Sequence, residues 1–149
     1  MTDALSQNRR IRDVLDERWS IGRKLRLSVE IVAVYVHARW VMKRKDFDSA
    51  LATLRGVRHD SRLSELDQQL VGIRLGRAVE RTLGPLPADS RCLIKSLVLT
   101  RLLARRGVDG RFIIGVRRDP EFKAHAWVEK AGIPLMDDGG GAYERLAEL

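Results

Sequence analysis

Residues 89–112, DSRCLIKSLVLTRLLARRGVDGRF, decide how the chain is read. Asp89 or Ser90 can cap a helix, because a short side chain that accepts hydrogen bonds satisfies a free N–H of the first turn. Behind the cap, Leu93, Leu97, Thr100 or Arg101, and Ala104 mark one stripe at helical spacing; Ile94, Val98, Leu99, Leu102 and Leu103 widen it. A helix apolar over so much of its circumference belongs inside a fold. Gly107 supplies the stop signal and places the helix end near Arg106. Cys92, the only cysteine in the chain, therefore falls in the first turn of a central helix.

Toward the C-terminus the apolar period shortens. RFIIGVR (residues 111–117) and KAHAWVE (residues 123–129) read as strands, with Asp119-Pro120 marking the turn between them. Ala131-Gly132 makes the next turn and leads into a third strand over residues 133–136, with Asp137 at its end. The tail from Gly139, GGGAYERLAEL, reads as a flexible glycine hinge before a few weakly ordered residues.

Toward the N-terminus the pattern is helical. Residues 9–19 place Ile11, Val14, Leu15 and Trp19 on one period, and residues 21–45 form a longer apolar-rich segment. That segment holds a β-branched cluster, but its length favours helix over strand. Its apolar stretch, residues 27–42, is read as core, with a docking surface as the other reading. Asp46 to Ser49 can cap a short helix ending at Arg55, with Gly56 as its stop. A further helix is expected over residues 61–83 with Ser61 as its cap, ended by Gly84-Pro85-Leu86-Pro87. The expected architecture is α+β: a helical region over residues 1–88, then a core over residues 89–149 in which a central helix packs on a small antiparallel sheet, all within one compact domain.

Bulk properties narrow the function. The chain has 149 residues, 44% hydrophobic and 32% charged, as a globular domain has. A single cysteine forms no internal disulfide, so nothing points to an oxidising compartment, and the first residues lack a signal-peptide core. The best membrane candidate, residues 27–42, is too short to span a bilayer and contains Glu30, His37 and Arg39. The expected compartment is the cytoplasm. Of a net charge of +8, residues 1–88 hold most, with 17 Lys+Arg against 11 Asp+Glu. Such a surface suits an acidic partner. No zinc-finger spacing or aromatic-interleaved basic patch is present, so nucleic acid is not the expected one.

A thiol becomes a nucleophile as its thiolate, and the first turn of a helix favours the anion through its partial positive charge and free N–H groups. The competing reading of Cys92 is a small buried hydrophobe. His125 shares one face of its strand with Trp127 and Glu129, opposite Ala124, Ala126 and Val128. If the alanine–valine face packs on the helix, the imidazole points away from the thiol unless the strand edges along the site. Asp137 is placed to accept from the imidazole and hold its tautomer, with Asp138 as its rival. Gln68 and Gln69 are available as oxyanion donors, but nothing in the sequence brings either to Cys92. His37 and His59 have no companion at metal-ligand spacing, and no CxxC or HxxxH pair accompanies Cys92; neither metal nor cofactor is expected.

Three blocks, RCLIKSLVLTRLLARRGV, FIIGVRRDPEFKAHAWVE and GIPLMD, together closely resemble the lasso-peptide leader peptidases, cysteine proteases of transglutaminase-like fold. In that family a cysteine opens the central helix, a histidine follows in an AHAW strand and an aspartate lies in the next strand. The resemblance assigns those roles here to Cys92, His125 and Asp137. It implies removal of the leader from a ribosomally made precursor, after which an ATP-dependent cyclase closes the ring on the freed amine. It also implies a separate leader-recognition protein, since the first 88 residues read as helices and not as the small leader-binding domain that some members carry. Two other readings stay open. An amine in place of water would make the same triad an acyl transferase, and a non-catalytic scaffold would bind peptide without cleaving it.

Overall fold

The computed structural model describes residues 20–56, 61–86 and 91–149. Helix α1 (Ile21–Arg44) starts at Ser20, whose side chain accepts from the Arg23 N–H, and ends with Lys43 and Arg44 against its negative pole. It buries the face formed by Leu27, Ile31, Val34, Ala38 and Val41. Helix α2 (Phe47–Arg55) begins at Asp46, which accepts from both the N–H and the hydroxyl of Ser49. It stops at Gly56, whose φ of 59° suits a residue without a Cβ. Helix α3 (Glu65–Leu83) is capped by Ser64, not by Ser61. Ser64 has Glu65 and Asp67 in the turn behind it, the charge that a helix N-terminus favours, whereas Ser61 spends its hydroxyl on the Leu63 N–H. The helix expected over residues 9–19 and the caps expected at Asp89 or Ser90 lie outside the described residues.

Helix α4 (Arg91–Arg105) is the centre of the molecule. It packs against α1, α2, α3 and the sheet, and Ser96 through Thr100, Leu102 and Leu103 are all buried. Two of its buried hydroxyls bond back within the helix: Ser96 donates to the Cys92 carbonyl, with the Met136 sulfur also 3.4 Å away, and Thr100 donates to the Ser96 carbonyl. Arg106 and Arg105 reach across to Glu30 of α1 and hold its carboxyl below the usual range, mainly through the Arg106 hydrogen bond.

The sheet is antiparallel with strand order β3-β2-β1-β4. Strands β1 (Arg111–Arg117) and β2 (Lys123–Lys130) pair along their whole length, setting Gly115 opposite His125 and Ile113 opposite Trp127. Strand β3 (Ile133–Pro134) is only two residues long, shorter than expected, and lies at the edge of the sheet, where Pro134 has no N–H to leave unpaired. The Leu135 N–H still bonds the Val128 carbonyl. The tail is a larger correction. Residues read as a loose end form β4 (Glu144–Glu148), which pairs with β1 across a bulge between Ile114 and Gly115. Gly139, Gly140 and Gly141 each have φ near 70°, a left-handed run that turns the chain back onto the sheet. No helix among the described residues is long and apolar enough to cross a membrane.

Candidate active site

Cys92 is the second residue of α4 and half-buried. Its sulfur lies at an opening in the sheet. Since β3 pairs only with Glu129 and Lys130, the edge of β2 is uncovered farther along, at His125 and Ala126. The Ala126 N–H, which a longer β3 would occupy, hydrogen-bonds the Cys92 sulfur, as does the Leu93 N–H. Ala126 and Val128 pack in the core, so the alanine–valine face is indeed the one turned to α4. The imidazole nevertheless reaches the thiol, because the helix begins at the strand's open edge: Cys92 and His125 are hydrogen-bonded to each other.

The other ring nitrogen defines the tautomer. His125 Nε2 lies 2.8 Å from the main-chain carbonyl oxygen of Asp137. A carbonyl only accepts, so Nε2 carries a proton, and Nδ1 is left with its lone pair toward the thiol. The carbonyl thus does what the Asp137 carboxylate was expected to do. That carboxylate instead accepts from the Gly139 N–H at 2.9 Å, and Asp138 makes the same turn with the Gly140 N–H. Both aspartates shape the glycine turn, and neither carboxylate is bonded to the ring.

The electrostatics of the pair run in one direction. The His125 hydrogen bond holds the Cys92 thiol below its ordinary range against the opposing effect of burial, aided by the Ala126 and Leu93 N–H groups. The Cys92 hydrogen bond raises His125, again against burial, with help from the Asp137 carbonyl and the Asp137 charge. Both shifts favour proton transfer from sulfur to nitrogen.

Two aromatic rings fix the imidazole. Trp127 stacks at 5.8 Å between centroids, and Tyr143 leans over the ring at 5.0 Å. Tyr143 fits because two glycines make room. A Cβ at Gly139 would fall 2.4 Å from its ring, and one at Gly115 would meet both Trp127 and the Tyr143 Cβ within 2.9 Å. The Arg117 guanidinium lies 5.5 Å from the Tyr143 ring centroid. Trp127 donates to the buried Glu129, whose carboxylate also takes Arg145 at 2.8 and 2.9 Å. Tyr143 was missed in the sequence because the tail showed no strand alternation strong enough to bring it back to the sheet.

Gln68 is not at the site. Its amide donates to the Leu63 carbonyl, and it lines a cavity of about 620 Å³ with Thr100, Ala104 and Gly107. Thr100 and Ala104 are roughly two to three turns along α4 from Cys92, and Gly107 lies beyond the helix end. No group of three His, Cys, Asp or Glu suited to a metal ion occurs among the described residues.

A thiol at the head of a buried helix and a histidine on the adjoining strand of an antiparallel sheet are chemically suited to cysteine acyl transfer, and residues 32–149 match the model of the transglutaminase-like superfamily. The chain belongs to that superfamily. Among curated proteins it is similar to the Microcin J25-processing protein McjB of Escherichia coli, with 44% identity over 60 residues. The matched stretch covers 40% of this chain and 28% of that protein. No solved structure matches the chain.

Proposed function

We propose that this protein is a cysteine endopeptidase that cuts the leader from a ribosomally made lasso-peptide precursor in the cytoplasm, together with a separate leader-binding protein and ahead of ring closure by a cyclase. The observation that carries the proposal is the Cys92–His125 hydrogen bond, with the tautomer set by the Asp137 carbonyl. Likeness to a microcin-processing protein supports the choice of a peptide precursor as substrate.

In the proposed reaction the Cys92 proton passes to His125 Nδ1, and the thiolate adds to the carbonyl carbon at the leader–core junction. Free N–H groups at the start of α4 stabilise the oxyanion. The tetrahedral adduct collapses as His125 gives its proton to the departing amine, which becomes the N-terminus of the core peptide. The leader stays as a thioester on Cys92. His125 then takes a proton from water, which adds to the thioester and releases the leader as a carboxylic acid with the thiol restored.

The test is mass spectrometry of a precursor incubated with this protein and a candidate leader-binding partner in H₂¹⁸O. Hydrolysis places one ¹⁸O in the leader's new carboxylate, and Cys92→Ala abolishes the cut. A leader joined to an amine without label would make the protein an acyl transferase. An intact precursor in all mixtures would overturn the proposal.

A further inference from the structure

Helix α1 has two apolar faces, and among the described residues only one is packed against the rest of the fold. Ile21, Leu25, Val29, Val32, Val36 and Trp40 lie on the other, with exposures from 49% at Val32 to 85% at Ile21. They form two ridges of i, i+4 neighbours, Ile21–Leu25–Val29 and Val32–Val36–Trp40. Such ridges are what one helix offers to the grooves of another. From Ile21 to Trp40 the strip is about 29 Å long at the rise of an α-helix.

Charge narrows the occupant. The six cations of α1 are exposed and gathered at its ends: Arg23, Lys24 and Arg26 at one, Arg39, Lys43 and Arg44 at the other. The single carboxylate of the helix, Glu30, is held by Arg105 and Arg106. A second copy laid on this face, parallel or antiparallel, would set cations against cations at both ends, and like charges so juxtaposed oppose association. A lipid surface calls for cations bordering the apolar strip along its length. Here the middle turns, residues 27–38, contain only Glu30 and His37 as ionisable groups besides Tyr35.

We propose that this face of α1 seats an amphipathic helix of another protein, one whose apolar ridge carries Asp or Glu at both ends. The surface is separate from the Cys92 site and does not depend on its chemistry.

The test titrates the full chain into two fluorescent designed helices of about 20 residues, long enough to span the strip. Both have the same leucine ridge; one has glutamates at its ends, the other lysines. The glutamate peptide should bind at least about tenfold more tightly, with charge complementarity as the discriminator, and lose affinity as salt rises. The double variant Val32→Asp/Val36→Asp should abolish binding while the circular dichroism and the alkylation rate of Cys92 stay unchanged. Equal affinity for the two peptides, no binding of either, or undiminished binding by the double variant would overturn the proposal. So would a dimer of the chain that the double variant dissolves, or displacement of the peptide by phosphatidylglycerol vesicles with saturable binding to them.

Discussion

Cys92 is pulled two ways: burial disfavours its thiolate, and the His125 hydrogen bond favours it by more. Because the thiol is lowered and the imidazole raised, the two transitions are drawn toward each other, and the thiolate–imidazolium form gains on the neutral pair. Falling pH opposes that form by protonating the thiolate, and rising pH opposes it by deprotonating the imidazolium. Iodoacetamide should therefore alkylate Cys92 rapidly at about pH 6–7, where an ordinary thiol of pKa about 8.5 is almost wholly protonated. His125→Ala removes the largest favourable contribution and leaves burial opposed only by the two N–H groups, so the alkylation midpoint should rise. A midpoint unmoved by that change would mean that the pair is not coupled. Asp137 yields a sharper contrast. Where a carboxylate orients the imidazole, its amide variant costs about 10⁴ in kcat. Here the orienting group is a main-chain carbonyl, and an asparagine at 137 can still accept from the Gly139 N–H. Asp137→Asn should thus lower kcat/KM by no more than about tenfold, the part due to the lost charge. A loss near 10⁴ would show that the carboxylate itself takes the imidazole during turnover.

Elements set the residues in place through unusually close approaches. Helix α3 passes against the segment after β3: a Cβ on Gly76 would lie 1.7 Å from the Leu135 carbonyl oxygen, and one on Gly72 would press 2.8 Å from the Leu135 side chain. Leu135 is two residues from the carbonyl that orients His125, so α3 supports the site without touching it. Gly76→Ala should cost about 1–3 kcal/mol, as overpacking does, and should also shift the pH profile of Cys92 alkylation. A loss of melting temperature with an unaltered profile would confine Gly76 to packing. Tyr143 offers the complementary case. Tyr143→Ala should slow alkylation of Cys92 at low pH by freeing the imidazole, and Tyr143→Phe should restore it, because the ring and not the hydroxyl covers His125. The helices were legible in the sequence because their signals are local. Asp46, Gly56 and Gly107 each mark an end through one side chain or one φ angle. Ser61 misled because two serines three residues apart, Ser61 and Ser64, offer the same capping hydroxyl. The acids behind Ser64 decide between them.

Across the whole molecule, the division between legible and hidden follows the range of the interactions. The helix-then-strands order could be anticipated, because the central helix and β2 have strong periodic patterns, whereas the pairing of Cys92 with His125 rested on the family resemblance, since alternation along β2 left the direction of the imidazole open. The fourth strand could not be anticipated, because its reason for being lies in distant partners. Arg145 neutralises Glu129, which is 4% exposed on β2 and also accepts from Trp127, itself 4% exposed. Leu149 exchanges both backbone hydrogen bonds with Phe112, and Arg55 of α2 reaches the Leu149 carbonyl. A tail that reads as loose from its glycines is thus bound to β1, β2 and α2 at once. Removing the Arg145 side chain isolates one strand of that web. Arg145→Ala leaves a buried carboxylate with Trp127 as its remaining side-chain partner, and should destabilise the fold by about 1–3 kcal/mol, the cost of an under-satisfied buried acceptor. Glu129→Gln on the same background removes the uncompensated charge while keeping an acceptor for Trp127, so it should recover part of the loss. Urea denaturation of the three proteins measures both steps. If Arg145→Ala is neutral, the salt bridge is incidental and backbone pairing alone holds β4. If the double variant is worse than the single, the carboxylate is needed for Trp127, and through its stacking for the imidazole beside it.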